Sequence, residues 1–76
     1  PLALPAEFVR ELEPELRLVA QAFRASEPAD AIPSDQFLVR GPADSPAFLL
    51  VPGEYRLQLV DEDGEVRARV EKLTVR

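Results

Sequence analysis

Several residue types are absent from this 76-residue chain, which has no cysteine, histidine, methionine, tryptophan or asparagine, and Lys72 is its only lysine. The absence of cysteine excludes a small fold held together by disulfides and any metal site built from thiolates. The absence of histidine removes the commonest general base and the commonest transition-metal ligand. We therefore expect neither an enzyme nor a metal centre, and we predict no cofactor.

The residues that remain offer little for catalysis. The three serines lie in proline-rich segments with no base beside them to activate a hydroxyl. The acidic residues around Gly64 resemble a calcium loop, but the EF-hand order places its glycine sixth, whereas Gly64 is fourth from Asp61. We interpret this segment as a solvated hairpin tip, and no catalytic, cofactor-binding or metal-binding residue is predicted.

Negative charge predominates, with 14 acidic and 9 basic residues and a net charge of −5. Residues 25–54 are the most acidic part, with five acidic residues and one basic residue. A nucleic-acid-binding domain normally carries a basic face, so no nucleic-acid partner is expected. No apolar run approaches the roughly 20 residues of a membrane span, so no membrane insertion is expected. The chain begins with Pro1, which suggests a processed protein or a piece of a longer one.

The longest periodic pattern is AEFVRELEPELRLVAQAFR, over residues 6–24. At about 100° per residue, its apolar side chains fall within about one third of a helix circumference. These side chains are Phe8, Val9, Leu12, Leu16, Val19, Ala20 and Phe23. We predict one amphipathic helix over 6–24, with Pro14 on its polar side, where a bend leaves the apolar stripe intact. Alternatively, the helix stops at Glu13 and restarts with Pro14 in its first turn.

A strand is the competing interpretation of residues 16–23. The side chains of Leu16, Leu18, Ala20 and Ala22 alternate there with those of the residues between them. However, this strand would place Val19 and Phe23 in solvent, and the local content of Ala, Leu, Glu, Arg and Gln favours a helix. The helix is therefore our prediction.

The helical period ends after Arg24, and residues 25–35 are predicted to be an acidic, proline-containing connection. From Gln36 the apolar period changes to two, which predicts short strands at 37–39 and 47–51. Prolines flank the second run, which favours an edge strand because proline cannot donate to a ladder.

The clearest local signal is a hairpin in YRLQLVDEDGEVRARVEKLTVR, where Asp63-Gly64 predicts a two-residue type I′ turn. This turn fixes a register with one apolar face and one charged face. The apolar face pairs Leu59 with Ala68 and Leu57 with Val70, and the other pairs Val60 with Arg67, Gln58 with Arg69 and Arg56 with Glu71. The alternation slips at Glu71-Lys72, which predicts a bulge or a bend there.

Together these elements predict an α+β fold over a single domain, residues 1–76. One N-terminal amphipathic helix (6–24) would pack on a three- to four-stranded antiparallel meander (36–76) through the connection 25–35. The alternative is an all-β sandwich.

The alternative draws on a resemblance in residues 51–66, VPGEYRLQLVDEDGEV. This segment resembles the P-G-x-Y/H-x-L-x-L-V-D-x-x-G end of small bacterial Ig-like β-sandwich modules, such as the C-terminal domain of penicillin-binding protein 1C. The resemblance implies a non-catalytic appendage on an extracytoplasmic protein. Without it, a cytoplasmic location is favoured.

Two surfaces are candidate interfaces, and the first is the outer face of the sheet. A planar set of arginines beside Val60 could receive an acidic partner, because arginine is favoured at interfaces. The arginines are Arg56, Arg67 and Arg69. The competing interpretation is an ordinary solvated face crossed by an Arg56–Glu71 ion pair, which contributes under about 1 kcal/mol.

The second candidate interface is the apolar run Phe48, Leu49, Leu50 and Val51. A strand with alternating side chains cannot bury all four against one helix. One pair of side chains therefore has to be covered by something other than the helix, either Leu49 and Val51 or Phe48 and Leu50. A second chain is one source, which predicts a homodimer or a docking surface; the N-terminal PLALP segment or the long loop is the other.

These observations predict a non-catalytic protein interaction or assembly module, which self-associates or docks on a protein partner through its sheet edge. One alternative is a small-ligand carrier or inhibitor, with a pocket between helix and sheet lined by Phe8, Phe23 and Tyr55. The other is a β-sandwich appendage of a bacterial envelope enzyme, which predicts no long helix.

Overall fold

The computed structural model describes residues 2–13, 17–28, 32–41 and 47–76. Of these residues, 53% lie in strands and 6% in helix. The elements are β1 (Leu2–Ala3), α1 (Ala6–Val9), β2 (Leu18–Arg24), β3 (Asp35–Val39), β4 (Ala47–Phe48), β5 (Gly53–Val60) and β6 (Val66–Val75). No helix in these ranges has the length and apolarity needed to cross a membrane.

The strands form two antiparallel sheets. The main sheet has four strands in the order β3-β2-β5-β6, and β1 pairs with β4 in a separate two-stranded ribbon. Strand β2 therefore lies between β3 and β5, and the main sheet is not the predicted meander of residues 36–76. The chain passes from the β2–β3 hairpin through the ribbon strand β4 before it returns as the β5–β6 hairpin.

The predicted helix over 6–24, and with it the α+β fold class, is wrong. Only the single turn Ala6–Val9 is α-helical, and Leu18–Arg24 is a strand in the middle of the sheet. After Val9 the hydrogen bonds tighten to the i→i+3 pattern, since the amides of Glu11 and Leu12 donate to the carbonyls of Phe8 and Val9 at 3.0 and 3.2 Å. Pro14 and Leu16 lie outside the described residues, as does 29–31 of the predicted connection.

The strand forms because its central position buries its inner face and partly covers its outer face. On the inner face Leu18, Ala20 and Ala22 are fully buried. On the outer face Val19 lies between Leu38 of β3 and Val60 of β5. The prediction that a strand would leave Val19 and Phe23 in solvent is therefore wrong, because residues of the neighbouring strands cover them.

The core lies between the inner face of the main sheet and a cover made by the ribbon and α1. The rings of Phe37 and Phe48 join the two layers, with their centroids 4.8 Å apart. The N-terminal segment adds Phe8 and Leu12, and α1 packs against β6. The strand content is typical of an all-β fold. In the described residues, however, the layer that packs on the main sheet is only a short two-stranded ribbon with one helical turn.

The register predicted for the hairpin is confirmed through most of its length. Strand β5 pairs Leu57 with Val70, Gln58 with Arg69 and Leu59 with Ala68. Tyr55 pairs with Leu73, so Arg56 faces both Glu71 and Lys72, which confirms the predicted bulge. Tyr55, Leu57 and Leu59 are buried on the inner face, as the alternation requires.

The predicted type I′ turn is wrong. It would need a positive φ at both Asp63 and Gly64, but of these only Gly64 has one, at 83°. The predicted pair of Val60 with Arg67 is also wrong, since Val60 pairs with Val66, and the Gly64 amide donates to the carbonyl of Asp61 at 3.1 Å. The wider loop forms because Asp61 Oδ1 accepts the amide protons of Asp63 and Glu65 at 3.0 and 2.9 Å.

Candidate functional site

The apolar run at 48–51 divides between core and solvent. Phe48 is fully buried, and Leu50 packs against the core from its rim. Leu49 and Val51 are 76% and 59% exposed, so these two are the side chains without cover. The strand in this run is shorter than predicted: β4 stops at Phe48, where it pairs with Leu2. The N-terminal segment therefore covers the backbone of β4 and leaves Leu49 and Val51 open.

Two hydrogen bonds hold the exposed pair in position. The Leu49 amide donates to Oδ2 of Asp35 at 2.8 Å. The Tyr55 hydroxyl donates to the carbonyl of Val51 at 2.7 Å, and Tyr55 itself is 1% exposed. Because both bonds join this segment to residues of the main sheet, the chain displays two large apolar side chains from a fixed backbone. We call Leu49 and Val51 the apolar patch.

The outer face of the main sheet carries a second apolar feature, a row of four residues in register across its four strands. Its members are Leu38, Val19, Val60 and Val66. The two at the ends of the row, Leu38 and Val66, are each 41% exposed, and the two between them are partly buried. The predicted interface residue Val60 thus lies within a longer apolar row.

Beside this row runs a line of glutamines. The Gln21 side-chain amide donates to Gln36 at 3.1 Å, and the Gln58 amide donates to Gln21 at 2.7 Å. Gln58 pairs in register with Arg69 on β6, so the line ends in a cation. Gln21, in the middle of the line, therefore has a hydrogen-bond partner on each neighbouring strand. Such pairing is expected for polar side chains on a half-covered sheet face.

The Arg56 side chain covers the aromatic ring of Phe23 on the outer face. Its guanidinium carbon lies 5.1 Å from the ring centroid of Phe23, and Nη2 donates to the carbonyls of Glu27 and Pro28 at 3.1 and 3.3 Å. Phe23 is consequently only 5% exposed although it points away from the core.

The other two predicted interface arginines have acidic partners within the chain. Arg67 lies 3.6 Å from Asp61 and Arg69 lies 3.5 Å from Glu71. The ion pair proposed for a solvated face, Arg56–Glu71, is replaced by Arg69–Glu71. The Arg69–Glu71 pair is exposed and contributes little to stability, and the use of these arginines by an acidic partner stays a prediction.

The three residues predicted to line a pocket do not lie together. Phe8 and Tyr55 belong to the core, whereas Phe23 lies on the opposite face of the sheet. The outer face has a shallow depression of about 160 Å³, lined by Phe23, Arg56, Leu57, Gln58, Arg69 and Glu71. Within the described ranges, no three acidic side chains are grouped as ligands for a metal ion.

Sequence reasoning missed the apolar row and the glutamine line because it predicted Val19 and Gln21 to lie on a helix. The alternation of side chains over 16–23 could have indicated both features. The same alternation continues at the outward positions of 36–38 and 58–60.

Comparisons with protein-family models, curated proteins and solved structures gave no match to this chain. The resemblance of residues 51–66 to β-sandwich appendage modules therefore depends on that segment alone, which forms all of β5, the turn and the first residue of β6. Function has to be argued from the exposed surfaces.

Proposed function

We propose that this chain is a non-catalytic interaction module that binds a partner protein through the apolar patch. The observation that carries the proposal is the exposure of Leu49 and Val51, at 76% and 59%, on a backbone tied to Asp35 and Tyr55. A single exposed apolar residue needs no explanation, whereas two within three positions on a fixed backbone are typical of a contact site. Their burial by a partner would stabilise a complex by about 25 cal/mol per Å² of apolar area.

The fixed backbone supports this proposal on energetic grounds. Association costs about 0.5–1.5 kcal/mol for each flexible side chain or loop that must be ordered. Here the Asp35 and Tyr55 hydrogen bonds order the segment before any partner arrives. The cost of ordering this segment is therefore not charged against the free energy from burying Leu49 and Val51.

The charge around the patch indicates the partner's chemistry. The patch lies in the acidic part of the chain, residues 25–54. Asp35 contacts the patch directly, and the exposed Glu54 follows three residues after Val51. A protein surface with an apolar pocket and a rim of lysine or arginine complements this arrangement.

The test is a Leu49→Glu substitution with Ile32→Glu as the matched control, because Ile32 is an apolar residue 91% exposed elsewhere on the surface. A protein captured by the wild-type chain is identified, purified and titrated calorimetrically against each variant at low and high salt. We expect Leu49→Glu to weaken binding by more than about tenfold, Ile32→Glu to leave it unchanged, and high salt to weaken it. Equal binding of the wild type and Leu49→Glu, or no specific capture at all, would overturn the proposal.

A second candidate is a β-sandwich appendage of a bacterial envelope enzyme. It is favoured by the absence of any helix of seven or more residues in the described ranges, together with the hairpin formed by 51–66. This role implies an extracytoplasmic location and a structural task within a larger protein. The same titration separates the two candidates, because a spacer has no partner whose affinity depends on Leu49.

A further inference from the structure

We propose that two copies of this chain pair edge to edge through β6, antiparallel, about a twofold axis at Val70. This interface uses a different surface from the apolar patch and does not depend on the proposed function. The partner it fits is a second copy of the same chain.

The first argument is the character of the β6 edge. Strand β6 is ten residues long and, among the described residues, pairs only with β5. Exposed edges in natural proteins are usually short or carry inward-pointing charges that prevent pairing. The inward-facing residues of β6 are instead apolar and only partly buried: Ala68, Val70, Leu73 and Val75. A second β6 centred on Val70 would set the two Val70 side chains against each other and pair backbone groups of the edge over residues 69–71.

The second argument is charge complementarity on the outer face. Arg69 and Glu71 flank Val70, and both line the outer depression with Phe23. In an antiparallel pair centred on Val70, Arg69 of each copy faces Glu71 of the other. The two existing Arg69–Glu71 pairs, at 3.5 Å within each chain, would then join in one four-charge network of alternating sign. Directly opposed unlike charges stabilise a strand pair, and like charges destabilise it.

The same charges select this register over its neighbours. A shift that centres the axis on Arg69 sets that arginine against its own copy, and one that centres it on Glu71 opposes two carboxylates. Next to Val70, where β6 alternates regularly, a shift by one residue places outward side chains opposite inward ones. Over residues 69–71, between the two bulges of β6, the pairing centred on Val70 matches both face and charge.

The test uses two charge reversals, Arg69→Glu and Glu71→Arg, each alone and then mixed. Sedimentation velocity over a dilution series gives the mass, and circular dichroism shows that each variant is folded. We expect the wild type to form a salt-sensitive dimer, each single variant to be monomeric, and the equimolar mixture to form a heterodimer. The double variant Arg69→Glu/Glu71→Arg should dimerise like the wild type.

The mixture distinguishes an intermolecular contact from a loss of stability. Each single variant has lost its internal Arg69–Glu71 pair, and mixing cannot restore that pair, so only a contact between chains can bring the dimer back. Leu49→Glu serves as the control and should leave the dimer unchanged. A wild type that stays monomeric up to millimolar concentration, a mixture that stays monomeric, or a dimer abolished by Leu49→Glu would each overturn the inference.

Discussion

At the scale of single residues, the Arg56 side chain shields Phe23 from solvent on the outer face of the sheet. Its guanidinium carbon lies over the Phe23 ring, 5.1 Å from the centroid, while one nitrogen donates to the carbonyls of Glu27 and Pro28. Lysine has a similar charge but lacks the planar group that can stack and donate at the same time. The arginine therefore acts here through its shape as much as through its charge.

We predict that Arg56→Lys lowers the free energy of unfolding by about 1–2 kcal/mol, because the stacking over Phe23 and the geometry toward the two carbonyls are lost. The control is Arg10→Lys, at an exposed position, which should change stability by less than about 0.5 kcal/mol. Urea unfolding followed by circular dichroism measures both. Equal effects of the two substitutions would show that Arg56 has no such special contact.

At the scale of secondary structure, β2 organises the main sheet because it has partners on both sides. Its inner residues are small: Ala20 faces Phe37 on β3 and Leu59 on β5, and Ala22 faces Leu57. Alanine leaves room for these larger neighbours, so the inner face packs with large side chains on the flanking strands and small ones in the centre. The outer residue Gln21 has a different task, since it links Gln36 and Gln58.

Adjacent substitutions in β2 should therefore differ strongly. Ala20→Leu is expected to destabilise the protein by about 1–3 kcal/mol, because Ala20 is fully buried and the extra atoms have no space. Gln21→Leu should cost less than about 1 kcal/mol, because Gln36 is exposed and water can replace the lost amide contacts. The midpoints of urea unfolding decide the question, and a similar cost at both positions would contradict the assignment of the two faces.

At the scale of the whole molecule, the two antiparallel sheets share one core, and Phe48 is the residue that connects them. It lies on the ribbon strand β4, is fully buried, and contacts the Phe37 ring of the main sheet. A domain of this size has a total stability of only several kcal/mol. The loss of one such ring removes a large share of it.

We predict that Phe48→Ala costs about 3–5 kcal/mol and lowers the Tm by more than about 12 °C. The neighbouring Leu49→Ala is the control, because Leu49 is 76% exposed and its truncation should change stability by less than about 0.5 kcal/mol. Differential scanning calorimetry of both variants measures the difference. A small shift for Phe48→Ala would mean that the ribbon is not part of the cooperative core.

The sequence by itself determined the features that depend on chain neighbours. The pairing of Leu57 with Val70, the inward positions of Tyr55, Leu57 and Leu59, and the bulge at Glu71-Lys72 all follow from alternation on two strands joined by one loop. Side-chain period and loop position are local properties, so a single sequence is enough to predict them.

Only the tertiary structure decided the rest. Residues 18–24 are compatible with both a helical stripe and a strand alternation, and the strand forms because of β3 and β5, whose pairing partners lie up to 41 positions away at Val19–Val60. The same holds for the apolar run, where Phe48 and Leu50 face inward because the N-terminal segment and Phe37 meet them there. Which residues are buried by distant neighbours depends on the whole fold. A local pattern that fits both a helix and a strand therefore cannot decide between them by itself.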